Sequence, residues 1–199
     1  AAALRRNGIR HIDLLVVTHG DADHVGGLGY LAGRLPVDVV WYPRFQDSGL
    51  MTNVLSALAA EGAELMRPDV GWQATLGQVA ITVAGPLRRY ASDNDGSIVL
   101  RAGTPLDPDV VLLTADIEDV AQRELGPPDA EILKVPHHGS ATSDLAWLAS
   151  ADSSVAVVSV GANNFGHPSE SVIETLEDAG MTVLRTDDSG DVAFPISRR

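Results

Sequence analysis

Cysteine is absent from the 199 residues, which rules out both a disulfide framework and a thiolate metal site. Any metal must be held by imidazole and carboxylate, the donors of a hard or borderline divalent ion. Long apolar runs are absent too. None approaches the roughly 18–20 residues that span a bilayer, and the start, Ala1-Ala2-Ala3-Leu4-Arg5-Arg6, has no signal-peptide core or cleavage site. The chain as given is expected to be soluble. Basic residues are scarce: 14 Lys and Arg against 27 Asp and Glu leave a net charge of −13. That argues against a protein that coats nucleic acid non-specifically, because such binding needs a basic surface to displace counterions. An acidic chain can still handle phosphate where bound cations reverse the local sign. Repeats, low-complexity tracts and linker-like stretches are missing as well. With 45% apolar and 21% charged residues, the expectation is one domain over residues 1–199.

What is present is an alternation of short Val- and Ile-rich runs with helix-like segments. Residues 12–17, 38–41, 79–84, 98–101, 110–114, 131–135, 155–160, 181–185 and 192–195 read as strands. Helices fit residues 51–61, where Leu55, Leu58 and Ala59 share a face, and residues 117–125, 143–150 and 169–179, the last introduced by Pro168 and ended by Gly180. The pattern is α/β.

Chemistry concentrates where strands end. Directly after the first strand, His19-Gly20-Asp21-Ala22-Asp23-His24 packs two imidazoles and two carboxylates into six residues. Charged groups at the end of an apolar strand are costly to desolvate unless paired or bound to a cation, so this density points to a metal rather than a solvated acidic loop. Asp116 follows the strand at 110–114. Taken alone it reads more readily as the N-cap of the next helix. His137-His138-Gly139-Ser140 follows the strand at 131–135 and suits one ligand beside one supporting or substrate-facing donor. His167 follows the strand at 155–160 and by itself divides evenly between a packing and a functional role. The segment Ser92-Asp93-Asn94-Asp95-Gly96-Ser97 reads first as a turn rich in Asx and Gly, and His11 reads as structural. If these strands are parallel neighbours, their trailing loops gather at one rim, where open α/β folds bind ligands.

These residues carry a resemblance. His19-Gly20-Asp21-Ala22-Asp23-His24 resembles the HxHxDH signature of the metallo-β-lactamase superfamily, with Asp21 in place of the second histidine. The HxDxDHxGG variant, together with Ser97-Ile98-Val99-Leu100, Leu113-Thr114-Ala115-Asp116, Leu133-Lys134-Val135-Pro136-His137-His138-Gly139-Ser140 and residues 163–168, is similar to the C-terminal domain of ComEC-type DNA-internalisation (competence) proteins. The resemblance implies an αββα sandwich of two facing mixed β-sheets flanked by helices. Family members begin with several strands and an Asp-x-Gly segment ahead of the first metal motif. This chain starts a few residues before that motif, so it is expected to lack some N-terminal strands and to be a fragment of a longer membrane protein.

By the same resemblance two divalent ions, manganese or zinc with magnesium as a third candidate, are bound by His19, Asp21, Asp23, His24, His138 and a bridging Asp116. Asp23, Asp116, His137 and His167 are the catalytic candidates, with His137 facing phosphate. Asp93 and Asn94 stand where the family's third motif supplies a ligand; Lys134 and Ser140 are further secondary candidates. The implied reaction is phosphodiester hydrolysis of single-stranded DNA during uptake, beside a membrane-channel region of the same full-length protein on the extracytoplasmic face of a bacterial inner membrane. Two other readings stay open: a small-molecule or cell-wall phosphodiesterase, and a catalytically inactive metal- or DNA-binding domain. Nothing marks a lactam pocket, and membership of a fold does not transmit a substrate.

Overall fold

The computed structural model describes residues 2–194, which form two compact units, one up to Asp69 and one from Val70. In the first, α1 (Ala2–Arg6) leads into β1 (Ile12–Val16), α2 (Ala22–Val25), a 3-10 turn at Leu28–Tyr30, β2 (Val37–Trp41), α3 (Gly49–Ala60) and β3 (Glu64–Met66). The three strands make a parallel sheet in the order β1-β2-β3. Parallel strands need crossovers, and α3 supplies one. Ser48 caps α3 by accepting a hydrogen bond from the Met51 amide at 3.1 Å. Met51, Val54, Leu55 and Leu58, spaced i, i+3, i+4 and i+7, are buried on one face of the helix. They pack with Leu15, Val40 and Leu65, which lie level across the three strands.

The second unit begins with four antiparallel strands, β4 (Gln73–Leu76), β5 (Val79–Gly85), β6 (Val99–Thr104) and β7 (Asp107–Leu113). It continues as α4 (Asp119–Leu125), β8 (Ile132–Lys134), a 3-10 segment at Pro136–Gly139, α5 (Leu145–Ala149), β9 (Val155–Val158), α6 (Glu170–Asp178), β10 (Thr182–Arg185) and α7 (Thr186–Ser189). The sheet order is β10-β9-β8-β7-β6-β5-β4, with β7 through β10 parallel. Its core joins Leu112, Leu133, Ala156 and Val158 of the strands to Trp147, Leu148, Val172 and Leu176 of the helices. Leu133, Leu148 and Leu176 are fully buried, and each truncated to Ala would cost about 2–5 kcal/mol. Buried Gln122 in α4 is fully used: its amide donates to the Ile117 carbonyl at 2.7 Å and its oxygen accepts from the Asp144 amide at 2.7 Å.

The α/β expectation holds. The seven-stranded sheet is mixed, and the three-stranded sheet is parallel throughout its described strands. Three local expectations change. Glu64–Met66 and Gln73–Leu76 form strands that the sequence pattern did not single out, being short and half polar. Residues 192–194 are not a strand: they follow the Gly190 turn, which sits at φ 71°, and pair with no strand among the described residues. Pro195, expected in the same strand, lies outside the described residues. The helix expected from residue 117 starts at Asp119, and the one expected from residue 143 starts at Leu145 behind its Asp144 cap.

Candidate metal centre

In the first unit the candidate donors lie on the loop that leaves β1 and on the single turn of α2. His19 is buried, and its ring stands 4.0 Å from that of His24, centroid to centroid. Thr18 Oγ1 lies 3.1 Å from His19 Nδ1 and 3.5 Å from His24 Nδ1. One hydroxyl therefore engages the same nitrogen on both rings and turns both Nε2 atoms the other way. On that side His19 Nε2 is 3.9 Å from Asp21 Oδ2 and His24 Nε2 is 3.7 Å from Asp23 Oδ2. Asp21 occupies the N-cap position of α2, yet its carboxylate accepts no capping bond there. The loop itself is pinned at Gly20, whose amide donates to Gln46 Oε1 at 3.0 Å and whose carbonyl accepts from Ser48 Oγ at 3.2 Å. A Cβ at Gly20 would sit 2.9 Å from Ser48 Oγ, so the position favours glycine for its space. His11 lies 2.9 Å from Asp38 Oδ1 and 3.8 Å from Asp13 Oδ1 at the entrance of the sheet.

In the second unit the loops after β7, β8 and β9 leave the parallel half of the sheet at one edge, as three neighbouring parallel strands require. Asp116 lies on the first of these loops and is 2% exposed. Its Oδ2 is 3.3 Å from His138 Nε2 and its Oδ1 is 3.5 Å from Lys134 Nζ, which also donates to the Ala115 carbonyl at 2.7 Å. His138 Nδ1 lies 2.6 Å from the Ser159 carbonyl. A carbonyl can only accept, so the ring proton sits on Nδ1 and Nε2 faces Asp116. The bond to Asp116 holds the His138 pKa above its ordinary value despite opposing burial. Burial pushes Lys134 down, against the pull of Asp116. Asp116 is not a helix cap: the amides of Glu118 and Ala121 donate instead to Asp95 Oδ1, at 2.8 and 3.3 Å. Burial raises the Asp95 pKa, and these two amides oppose the shift.

Backbone strain gathers at the same edge. Ala115, His137 and His138 have φ values of 49°, 46° and 55°, and they are the non-glycine residues with positive φ among those described. Such conformations cost roughly 1–3 kcal/mol each and persist where their surroundings dictate them. Here the His137 amide donates to the Ala115 carbonyl at 3.1 Å, tying the two strained turns together. Gly139 follows at φ 79°, where a Cβ would meet Pro168 Cβ at 2.7 Å. His137 Nδ1 lies 3.3 Å from Glu118 Oε1 and 3.4 Å from Thr142 Oγ1. Buried Ser140 accepts from the Thr142 hydroxyl at 3.0 Å, so its role is to hold Thr142 against the ring. The His167 ring is 5.3 Å from that of His137, and burial, then the charge of His137 and His138, lowers its pKa. Asp93 is exposed and Asn94 half-buried on the turn before β6, where the Asn94 carbonyl accepts from the Ser97 amide at 3.0 Å.

Both donor sets fit a divalent cation. Ligand atoms at about 2.0–2.2 Å from one ion stand roughly 3–4 Å from each other, and the three imidazole–carboxylate spacings of 3.3, 3.7 and 3.9 Å fall in that range. In each set the far ring nitrogen has a fixed partner, as ligating histidines need. Thr18, Glu118 and Thr142 complete these arrangements and were not singled out from sequence. A hydroxyl or carboxyl on a loop has no spacing signature of its own.

A profile of the metallo-beta-lactamase superfamily matches residues 1–161, and the chain belongs to that superfamily. Among curated proteins it is similar to ComE operon protein 3 of Bacillus subtilis (strain 168), with 29% identity over 204 residues covering 98% of this chain and 26% of that protein. It is also similar to competence protein ComA of Neisseria gonorrhoeae, with 30% identity over 209 residues covering 98% and 27%. The chain thus spans about a quarter of the length of these relatives. Solved structures share the fold: the diiron β-hydroxylase CmlA of Streptomyces venezuelae, at TM-score 0.58 and 15% identity over 89% of this chain and 44% of that one, and Zn(2+)-bound PqqB of Methylobacterium extorquens, at TM-score 0.52 and 15% identity over 87% and 71%.

Proposed function

We propose that the chain is a single binuclear metal-dependent phosphodiester hydrolase domain, a nuclease that degrades one strand of DNA during natural transformation. In this reading His19, Asp21, Asp23, His24, Asp116 and His138 would hold two divalent ions, manganese or zinc with magnesium as a third candidate. One observation carries it: in both units imidazole Nε2 and carboxylate oxygens stand at ligand spacing while the opposite ring nitrogens are already engaged. Superfamily membership supports gathering the two donor sets into one centre. When bound, two ions supply Lewis-acid activation of water and charge neutralisation for an in-line displacement at phosphorus.

The chain's own residues do the rest. Three carboxylates against two divalent ions leave a local charge of about +1, enough to attract a phosphodiester to an acidic protein. His137, fixed by Glu118 and Thr142, presents its Nε2 to a phosphate oxygen. His167, whose pKa burial lowers, favours the neutral imidazole and is suited to accept a proton near the reacting oxygen. Asp93 and Asn94 remain the candidates for the third-motif ligand. The setting is the extracytoplasmic face of a bacterial inner membrane, beside a channel region of the same polypeptide, consistent with the competence proteins among its relatives. No helix among the described residues is long and apolar enough to cross a membrane.

The test is incubation of metal-loaded protein with end-labelled single-stranded DNA, with and without chelator, beside the Asp23→Ala variant. Cleavage that needs metal and falls at least about 100-fold in the variant is the expected result. Two bound metals with no DNA cleavage, alongside turnover of a small chromogenic diester, would transfer the assignment to a small-molecule phosphodiesterase.

A further inference from the structure

Phe165 is 83% exposed, on the loop between β9 and α6. Its ring nevertheless has a fixed place. Asn163 Oδ1 accepts from the amides of Phe165 and His167 at 3.0 and 3.1 Å, while Asn163 Nδ2 donates to the carbonyls of Gly161 and His167 at 2.9 and 2.7 Å. Gly166 turns the chain at φ 80°. The result is a closed loop that carries Phe165 over His167, stacked at 6.0 Å and 21° between ring planes. His167 in turn stands 5.3 Å from His137. Three rings therefore run in series from His137, proposed to face phosphate, out to solvent, ending in an apolar ring that is 83% exposed among the described residues.

Such a face suits one class of ligand. An aromatic side chain held in water beside a phosphate-binding site matches the π-face of an unpaired base, and stacking of this kind binds single strands with little sequence preference. Apolar protein or lipid partners ask for a broader patch, and Phe165 is flanked by Asn164 and Gly166. We infer that Phe165 is a nucleobase-stacking platform that seats the base next to the scissile phosphate and so selects single-stranded over duplex DNA, whose base faces are already occupied. This deepens the nuclease reading and rests on it.

The test compares wild type, Phe165→Ala and Phe165→Trp, all metal-loaded, on oligothymidylate, on an abasic strand of equal length and on a duplex. Phe165→Ala is expected to raise KM for oligothymidylate about tenfold with kcat within about twofold. Phe165→Trp restores the wild-type KM, and all three proteins treat the abasic strand alike. An unchanged KM on oligothymidylate, or an equal loss on the abasic strand, overturns the platform. Should wild type cleave no strand, the nuclease reading fails on its own. Anisotropy of labelled oligothymidylate with the calcium-loaded proteins then still decides the platform: weaker binding by Phe165→Ala supports it and equal binding ends it.

Discussion

Thr18 stands between two imidazoles and decides which nitrogen each presents. Its hydroxyl oxygen reaches Nδ1 of both His19 and His24 and has two lone pairs, so it can accept an N–H from each ring and leave both Nε2 lone pairs for a cation. Removing it deletes the one hydroxyl that both rings share. Thr18→Val keeps the β-branched shape and deletes the hydroxyl, and loss of such a supporting partner typically weakens a metal site about 10–100-fold. A zinc titration against a competing chelator should show that loss with the melting temperature of the metal-free protein little changed. Unchanged affinity would mean the rings are oriented by packing alone. At this scale the sequence was legible where chemistry is dense. The His19–His24 cluster and the His137-His138 pair stand out by the density of donors after a strand, although Asp21 and Asp23 are exposed in the structure, whereas Asp116 taken alone reads as a helix cap. Their supports do not: Glu118 reads as an ordinary helix start, and Thr142 as a loop residue.

Among the elements, α4 depends on a residue outside it. The Glu118 and Ala121 amides at its N-terminus would be unsatisfied without Asp95, whose buried carboxylate reaches them from the turn before β6. Asp95→Ala is expected to cost about 1–2 kcal/mol, at the upper end of capping losses because two donors are stranded; urea unfolding measures it. A loss below a few tenths of a kcal/mol would show that water replaces the cap. The same contact frees Asp116 from the capping role that its place before a helix suggested. The sequence could not reveal this, since the partners are more than twenty residues apart. Strands β1, β7, β8 and β9 were readable because each carries a short run of Val, Ile or Leu, although β1 and β7 are only partly buried. β3 and β4 were not, because a three- or four-residue segment with Glu64 or Gln73 and Thr75 carries no periodicity to detect.

At the scale of the whole molecule, the proposed function gives an acidic chain a polyanionic substrate, and the proposed cations would reconcile the two. The proposed donors come from both compact units, four (His19, Asp21, Asp23, His24) from the first and two (Asp116, His138) from the second. The most direct test counts metal by mass spectrometry after dialysis in wild type, Asp23→Ala and His138→Ala. The account predicts about two ions per chain in wild type and about one or fewer in each variant. Two ions retained in both variants, or none bound by the folded wild type, would contradict a shared binuclear centre.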